Sequence, residues 1–119
     1  MILHNFMAGA VFLCTQPIDF RKGMGSLAVL VESSLLLNPF NEAVFVFSNR
    51  SATAVKILYW DRNGFCLWQK RLEKERFHWP KSSSRGVVSL SMEQLGWLLD
   101  GYDISLMTPH KALQYQSVI

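Results

Sequence analysis

Lys56, Trp60, Arg62, Lys70, Arg71 and Arg76 crowd into one stretch, KILYWDRNGFCLWQKRLEKERFHWP at residues 56–80, where cations are interleaved with aromatic rings. These residue types suit one kind of partner: ammonium and guanidinium groups neutralise phosphates, and rings or guanidinium planes stack on bases. The charge is concentrated here. From Arg50 to Arg85 nine Lys and Arg face three acids, a balance of +6, whereas the other 83 residues carry three bases and six acids, or −3. The overall +3 therefore conceals a polarised chain. An ordinary strand that turns its rings inward and its cations outward gives the same pattern, so composition alone leaves both readings open.

A second cationic pair, Arg21-Lys22, lies where a helix is expected to begin. Free N–H groups and the helix dipole favour an anion there, such as a phosphate, and solvated surface charge is the competing reading. Local patterns for catalysis are missing: no nucleophile beside a base, no carboxylate pair, no phosphate-cradling glycine loop. His4, His78 and His110 are far apart, and His78, between Phe77 and Trp79, reads as a solvated strand residue. Asp19 reads as a helix cap and Asp61 as a partner of Arg62 or a backbone amide; a metal role would need the fold to bring these two acids together. Cys14 and Cys66 lack a second Cys or His at ligand spacing and read as buried fillers in a reducing compartment. No enzyme, cofactor or metal is expected.

The elements that must position these residues fit one domain over residues 1–103, with a C-terminal tail over 104–119. Half of the 119 residues are apolar, enough for a core without staples. Phe6 to Cys14 is too short to cross a bilayer and has no basic flank before it, so a soluble, cytoplasmic protein is expected. A strand is predicted at Ala10 to Thr15, ended by Pro17. A helix capped by Asp19 follows from Phe20, with Met24, Leu27, Ala28, Val31 and Leu35 on one face. Asn38-Pro39 stops it, and Ala43 to Phe47 reads as a central strand.

Val55–Arg62 and Phe65–Leu72 flank Asn63-Gly64, a strong hairpin signal. Pairing Arg62 with Phe65 puts Val55, Ile57, Tyr59 and Asp61 on one face with Leu72, Lys70, Trp68 and Cys66. The other face then carries Lys56, Leu58, Trp60 and Arg62 with Arg71, Gln69, Leu67 and Phe65, and is the candidate contact surface. A Gly64 bulge would shift the register by one and oppose Lys56 to Lys70. Arg76 to Trp79 is predicted as a short edge strand ended by Pro80, and Lys81 to Gly86 as a loop. Ser91 opens a second helix through a capping box with Gln94, and Gly101 ends it. The expected class is α+β: an antiparallel sheet of about five strands centred on the hairpin, with two helices on one face.

The strings Asp19-Phe20-Arg21-Lys22-Gly23, Asn38-Pro39-Phe40, Phe45-Val46-Phe47, Lys56 to Phe65, Lys70 to Glu73, Arg76-Phe77 and Trp79-Pro80 carry a family likeness. In order and spacing, over roughly residues 10 to 102, they resemble the TnpB-type accessory protein encoded by the bacterial insertion sequence family sixty-six. Glu75, where the family usually has glycine, and Ser48 depart from the pattern. The resemblance implies a bacterial protein that works beside a separate transposase, without an established catalytic role. DNA and the transposase are the partners it implies. A non-catalytic accessory factor using Lys56, Trp60, Arg62, Lys70, Arg71, Arg76, Arg21 and Lys22 on DNA is the leading expectation. The alternative is a protein-interaction module that binds the transposase or itself through Trp60, Trp97 or the tail.

Overall fold

Ala43–Ser48 is buried at every position, and this sets the architecture: a strand apolar on both sides must be covered on both sides. In the computed structural model, which describes residues 9–81 and 83–107, this strand is the middle one of five. In chain order the elements are β1 (Ala10–Cys14), α1 (Met24–Ser33), β2 (Ala43–Ser48), β3 (Ala54–Asp61), β4 (Gly64–Arg71), β5 (Val87–Leu90) and α2 (Met92–Leu99). A 3₁₀ turn, Ile104–Leu106, follows α2. The sheet order is β4-β3-β2-β1-β5. The α+β class and the five-strand, two-helix count agree with expectation. Residues 1–8 and 108–119, which include His4, the start of the N-terminal apolar run and most of the tail, lie outside the described residues.

The all-antiparallel expectation is corrected at one pair. β1 and β2 run parallel, because α1 in the connection carries the chain back across the sheet; the other three pairs are antiparallel. The helices lie on opposite faces rather than one. Leu27, Val31 and Leu35 of α1 and its exit pack with Phe45, Phe47 and Leu58. Leu95, Leu98 and Leu99 of α2 pack with Val11, Val44, Val46, Ile57 and Phe77 on the other side. Each fully buried side chain of this size stabilises the fold by about 1.5–3 kcal/mol.

Three local expectations change. First, α1 starts at Met24, with Gly23 as an uncapped N-cap, and Asp19 instead accepts the Arg21 N–H in a turn. Second, the hairpin loop is Arg62-Asn63, with Arg62 at φ 51°, and Gly64 already pairs with Asp61. The register differs from the predicted one by two residues, so both faces keep their members. The shift exchanges a like-charge Lys56–Arg71 pair for Lys56–Gln69 and sets Trp60 opposite Phe65. Third, Arg76 to Trp79 is irregular, and the fifth strand is Val87–Leu90. Phe77 is buried and its N–H bonds to the Ala52 carbonyl at 2.7 Å, so that segment is pinned without joining the ladder.

The α2 capping box forms as read: the Gln94 N–H donates to Ser91 Oγ, and the Ser91 N–H to Gln94 Oε1. Gly9 has a steric reason to be glycine. A Cβ there would lie 2.6 Å from the Glu42 carbonyl oxygen, which accepts the Ala10 N–H where β1 begins.

Candidate nucleic-acid interface

The strand directions bring distant cations to one end of the sheet, where β1, β2 and β4 finish and β3 and β5 begin. Arg50 follows β2, and Arg71 closes β4. The segment after β4 is then stitched across this end. Leu72 N–H bonds to the Thr53 carbonyl, Phe77 N–H to that of Ala52, Trp79 Nε1 donates to that of Cys14, and Thr15 N–H to that of Gly86. Lys74, Arg76, Lys81 and Arg85 ride on this stitched segment, all exposed. Arg21 and Lys22 join them, because Ile18 N–H is held by the Ser48 carbonyl at the end of β2. Eight exposed bases from four separate parts of the chain thus share one end. The acids there are Asp19, Glu73 and Glu75, with Asp100 beyond Leu99 and Asp103 near His78.

Two of the expected contact residues are engaged internally. Lys56, 6% exposed, donates to the carbonyls of Phe20 at 2.6 Å and Lys22 at 2.9 Å, and its ammonium lies 4.6 Å from the Phe20 ring centroid. Burial lowers its pKa from lysine's ordinary value, opposed by the charge of Asp19. The same bonds explain the late start of α1. A helix begun at Phe20 would aim the Phe20 and Lys22 carbonyls along its axis at the N–H groups four residues on, whereas here both meet Lys56 Nζ. Arg21 and Lys22 therefore precede the helix rather than forming its first turn. On the opposite face, Lys70 Nζ donates to the Leu99 carbonyl at 2.8 Å, satisfying an acceptor at the end of α2.

Asp19 and Arg21 form a forked pair, with Nε 3.0 and 3.1 Å from the two carboxylate oxygens and a 2.6 Å contact from the terminal nitrogen. The Arg21 side chain, then its backbone N–H, holds the Asp19 carboxyl well below the usual carboxylate range. Asp61 lies at the far end of the sheet, 3.7 Å from Arg62 Nε, so the fold separates it from Asp19. Among the described residues no group of three His, Cys, Asp or Glu could hold a metal ion, and no helix is long and apolar enough to cross a membrane.

That far end has a different character. Phe40, Trp60 and Phe65 form a triangle with ring centroids 5.0–5.3 Å apart, and Phe40 is 54% exposed. Beside it, Phe40, Glu42, Tyr59, Trp60, Asp61 and Arg62 help to line an open cleft of about 450 Å³. Glu42, Asp61 and Glu93 lie at this end, with Arg62 as its one base among the described residues. The expected site is thus divided. Arg21, Lys22, Arg71 and Arg76 converge, Trp60 and Arg62 stand at the opposite end, and Lys56 and Lys70 are bound within the fold.

The profile of the family described as IS66 Orf2 like protein matches residues 9–109, which takes in every element above. The chain belongs to the IS66 Orf2-like family. It is an insertion-sequence accessory protein by that membership. The chain is 42% identical to the uncharacterized protein y4hO of Sinorhizobium fredii over 93 residues, covering 78% of this chain and 80% of the relative. It is 37% identical to the uncharacterized protein y4jC of the same organism, also over 93 residues, covering 78% and 79%. No solved structure matches. In this member of the IS66 Orf2-like family, Arg50, Lys74, Lys81 and Arg85 complete the basic end. All four lay inside the sequence's charge-dense run, but only the backbone bonds of Leu72, Phe77, Gly86 and Ile18 and the Trp79 indole bond bring them to the same end of the sheet as Arg21 and Lys22. Phe40, 20 residues before Trp60, had no sequence signal linking it to that ring.

Proposed function

We propose that this accessory protein acts in transposition by binding DNA phosphates at the basic end of its sheet. One observation carries the reading: eight exposed bases, drawn from four parts of the chain, lie around the same strand ends. Clustered cations of this kind release counterions from duplex DNA, and backbone binding without an aromatic wedge positions a protein without selecting sequence. Lys22, Arg50, Arg71, Arg76 and Arg85 are the residues assigned to phosphates, with Arg21 held beside them by Asp19. Lys56 and Lys70 are assigned to stability, because their ammonium groups already meet carbonyls. A mobility-shift series with transposon-end duplex at rising salt tests this. Contact with about five phosphates gives a log–log slope near −4.5. Absence of binding at low salt overturns the reading.

The aromatic end supports a second role, docking of the element's transposase. Exposed Phe40 and half-buried Trp60 offer an apolar anchor beside Glu42 and Asp61, the composition of a protein-binding hot spot rather than of a phosphate site. Co-purification with the transposase that survives nuclease and is lost in Trp60→Ala supports it; retention in that variant rejects it.

A further inference from the structure

β4 is an outermost strand for eight residues, Gly64–Arg71, and β3 is its one neighbour among the described residues. Its ladder to β3 is continuous, without a bulge, and the strand contains no proline. With Arg62-Asn63 as a two-residue loop, Asp61 and Gly64 exchange both backbone bonds. From there Phe65, Leu67, Gln69 and Arg71 alternate in turning their N–H and C=O groups away from β3. The opposite edge, β5, is only four residues long. Sheets guard a long edge with central charge, proline or a bulge. β4 has none of these at its centre: Phe65, Cys66, Leu67 and Trp68 are half-buried apolar side chains on both faces of the edge.

We propose that this edge pairs with the same edge of a second copy, antiparallel about a two-fold axis at Leu67 or Trp68. The product is a continuous sheet of ten strands, five from each copy. The charge pattern favours a second copy as occupant. Antiparallel pairing at that centre sets the apolar run against itself. Lys70 and Arg71 of one copy then lie opposite residues 63–66 of the other, Asn-Gly-Phe-Cys, which carry no charge. A parallel partner strand of like sequence would instead align the cations. Because the paired strands run in opposite directions, the two basic ends point away from each other. A dimer able to hold two duplexes follows only if the proposed DNA reading holds, whereas the dimer itself does not depend on it.

Sedimentation equilibrium of the full chain at micromolar concentration, without DNA, should give twice the chain mass. Backbone amide exchange at Leu67 should slow as protein concentration rises. Gln69→Pro is the discriminating variant, since the Gln69 side chain is exposed and its N–H points away from β3. It removes one interchain donor per copy, two per dimer, and should weaken association by at least about tenfold with unchanged far-UV circular dichroism. A chain that remains monomeric overturns the proposal, as does a dimer that a folded Gln69→Pro leaves intact. Should that variant fail to fold, concentration-independent exchange at Leu67 in the unaltered protein overturns it equally.

Discussion

Lys56 Nζ lies 2.6 Å from the carbonyl oxygen of Phe20 and 4.6 Å from the centroid of that same residue's ring. A cation in the most basic stretch of the sequence is thus spent on the chain's own backbone. It ties β3 to the turn before α1 through charge-assisted hydrogen bonds and a cation–π contact. Lys56→Met keeps much of the apolar stem and removes the donors. It should lower stability by about 2 kcal/mol in denaturant unfolding while leaving DNA affinity unchanged. A large loss of DNA binding by a folded Lys56→Met protein would return Lys56 to the interface.

Asp19 engages Arg21 at the basic end, and its lowered pKa keeps it ionised throughout the pH range of binding assays. Its contribution to stability is present above the ordinary aspartate value and is lost only as pH falls through the lowered one. Asp19→Asn removes a negative charge and frees the guanidinium for phosphate. The expected result is tighter duplex binding with a salt slope steeper by about 0.9, measured by fluorescence anisotropy. An unchanged slope would place Arg21 outside the interface.

Tyr59 is 7% exposed, and its phenol is pushed up to about 12, first by burial and then by a hydrogen bond with Cys66. A raised pKa in the folded state means that the stabilising term is complete below the ordinary tyrosine value near 10. It is lost as pH climbs from there through about 12. Thermal unfolding across this window should show a falling limb that Tyr59→Phe flattens. The tyrosinate absorbance that appears last in an alkaline titration should vanish in the same variant.

Much of the fold was legible because its signals are local. The capping box of Ser91 and Gln94, the buried run of Ala43–Ser48 and the alternation that assigns each hairpin residue to a face depend on neighbours in sequence or on strict period two. The misread features depend on distant groups. Asp19 reads as a cap, but the turn before α1 is held by Lys56, 34 residues beyond Lys22. Asn63-Gly64 looked like the loop, but placing Arg62-Asn63 there removed a like-charge pair farther along the ladder. The candidate site suffered most, since alternation separates the faces of a hairpin and says nothing about its two ends. Trp60 and Arg62 share a face with Arg71 yet stand at the opposite end of the strands from it.

The central claim is that phosphate binding belongs to the basic end and not to the hairpin tip. Its most direct test is the salt dependence of duplex-DNA affinity for the unaltered chain, an Arg62→Gln variant, and a variant carrying Arg50→Gln, Arg71→Gln, Arg76→Gln and Arg85→Gln together. The four-site variant should flatten the log–log slope by about three to four, while Arg62→Gln should leave it unchanged. A four-site variant that binds as the unaltered chain does, or a loss confined to Arg62→Gln, would contradict it.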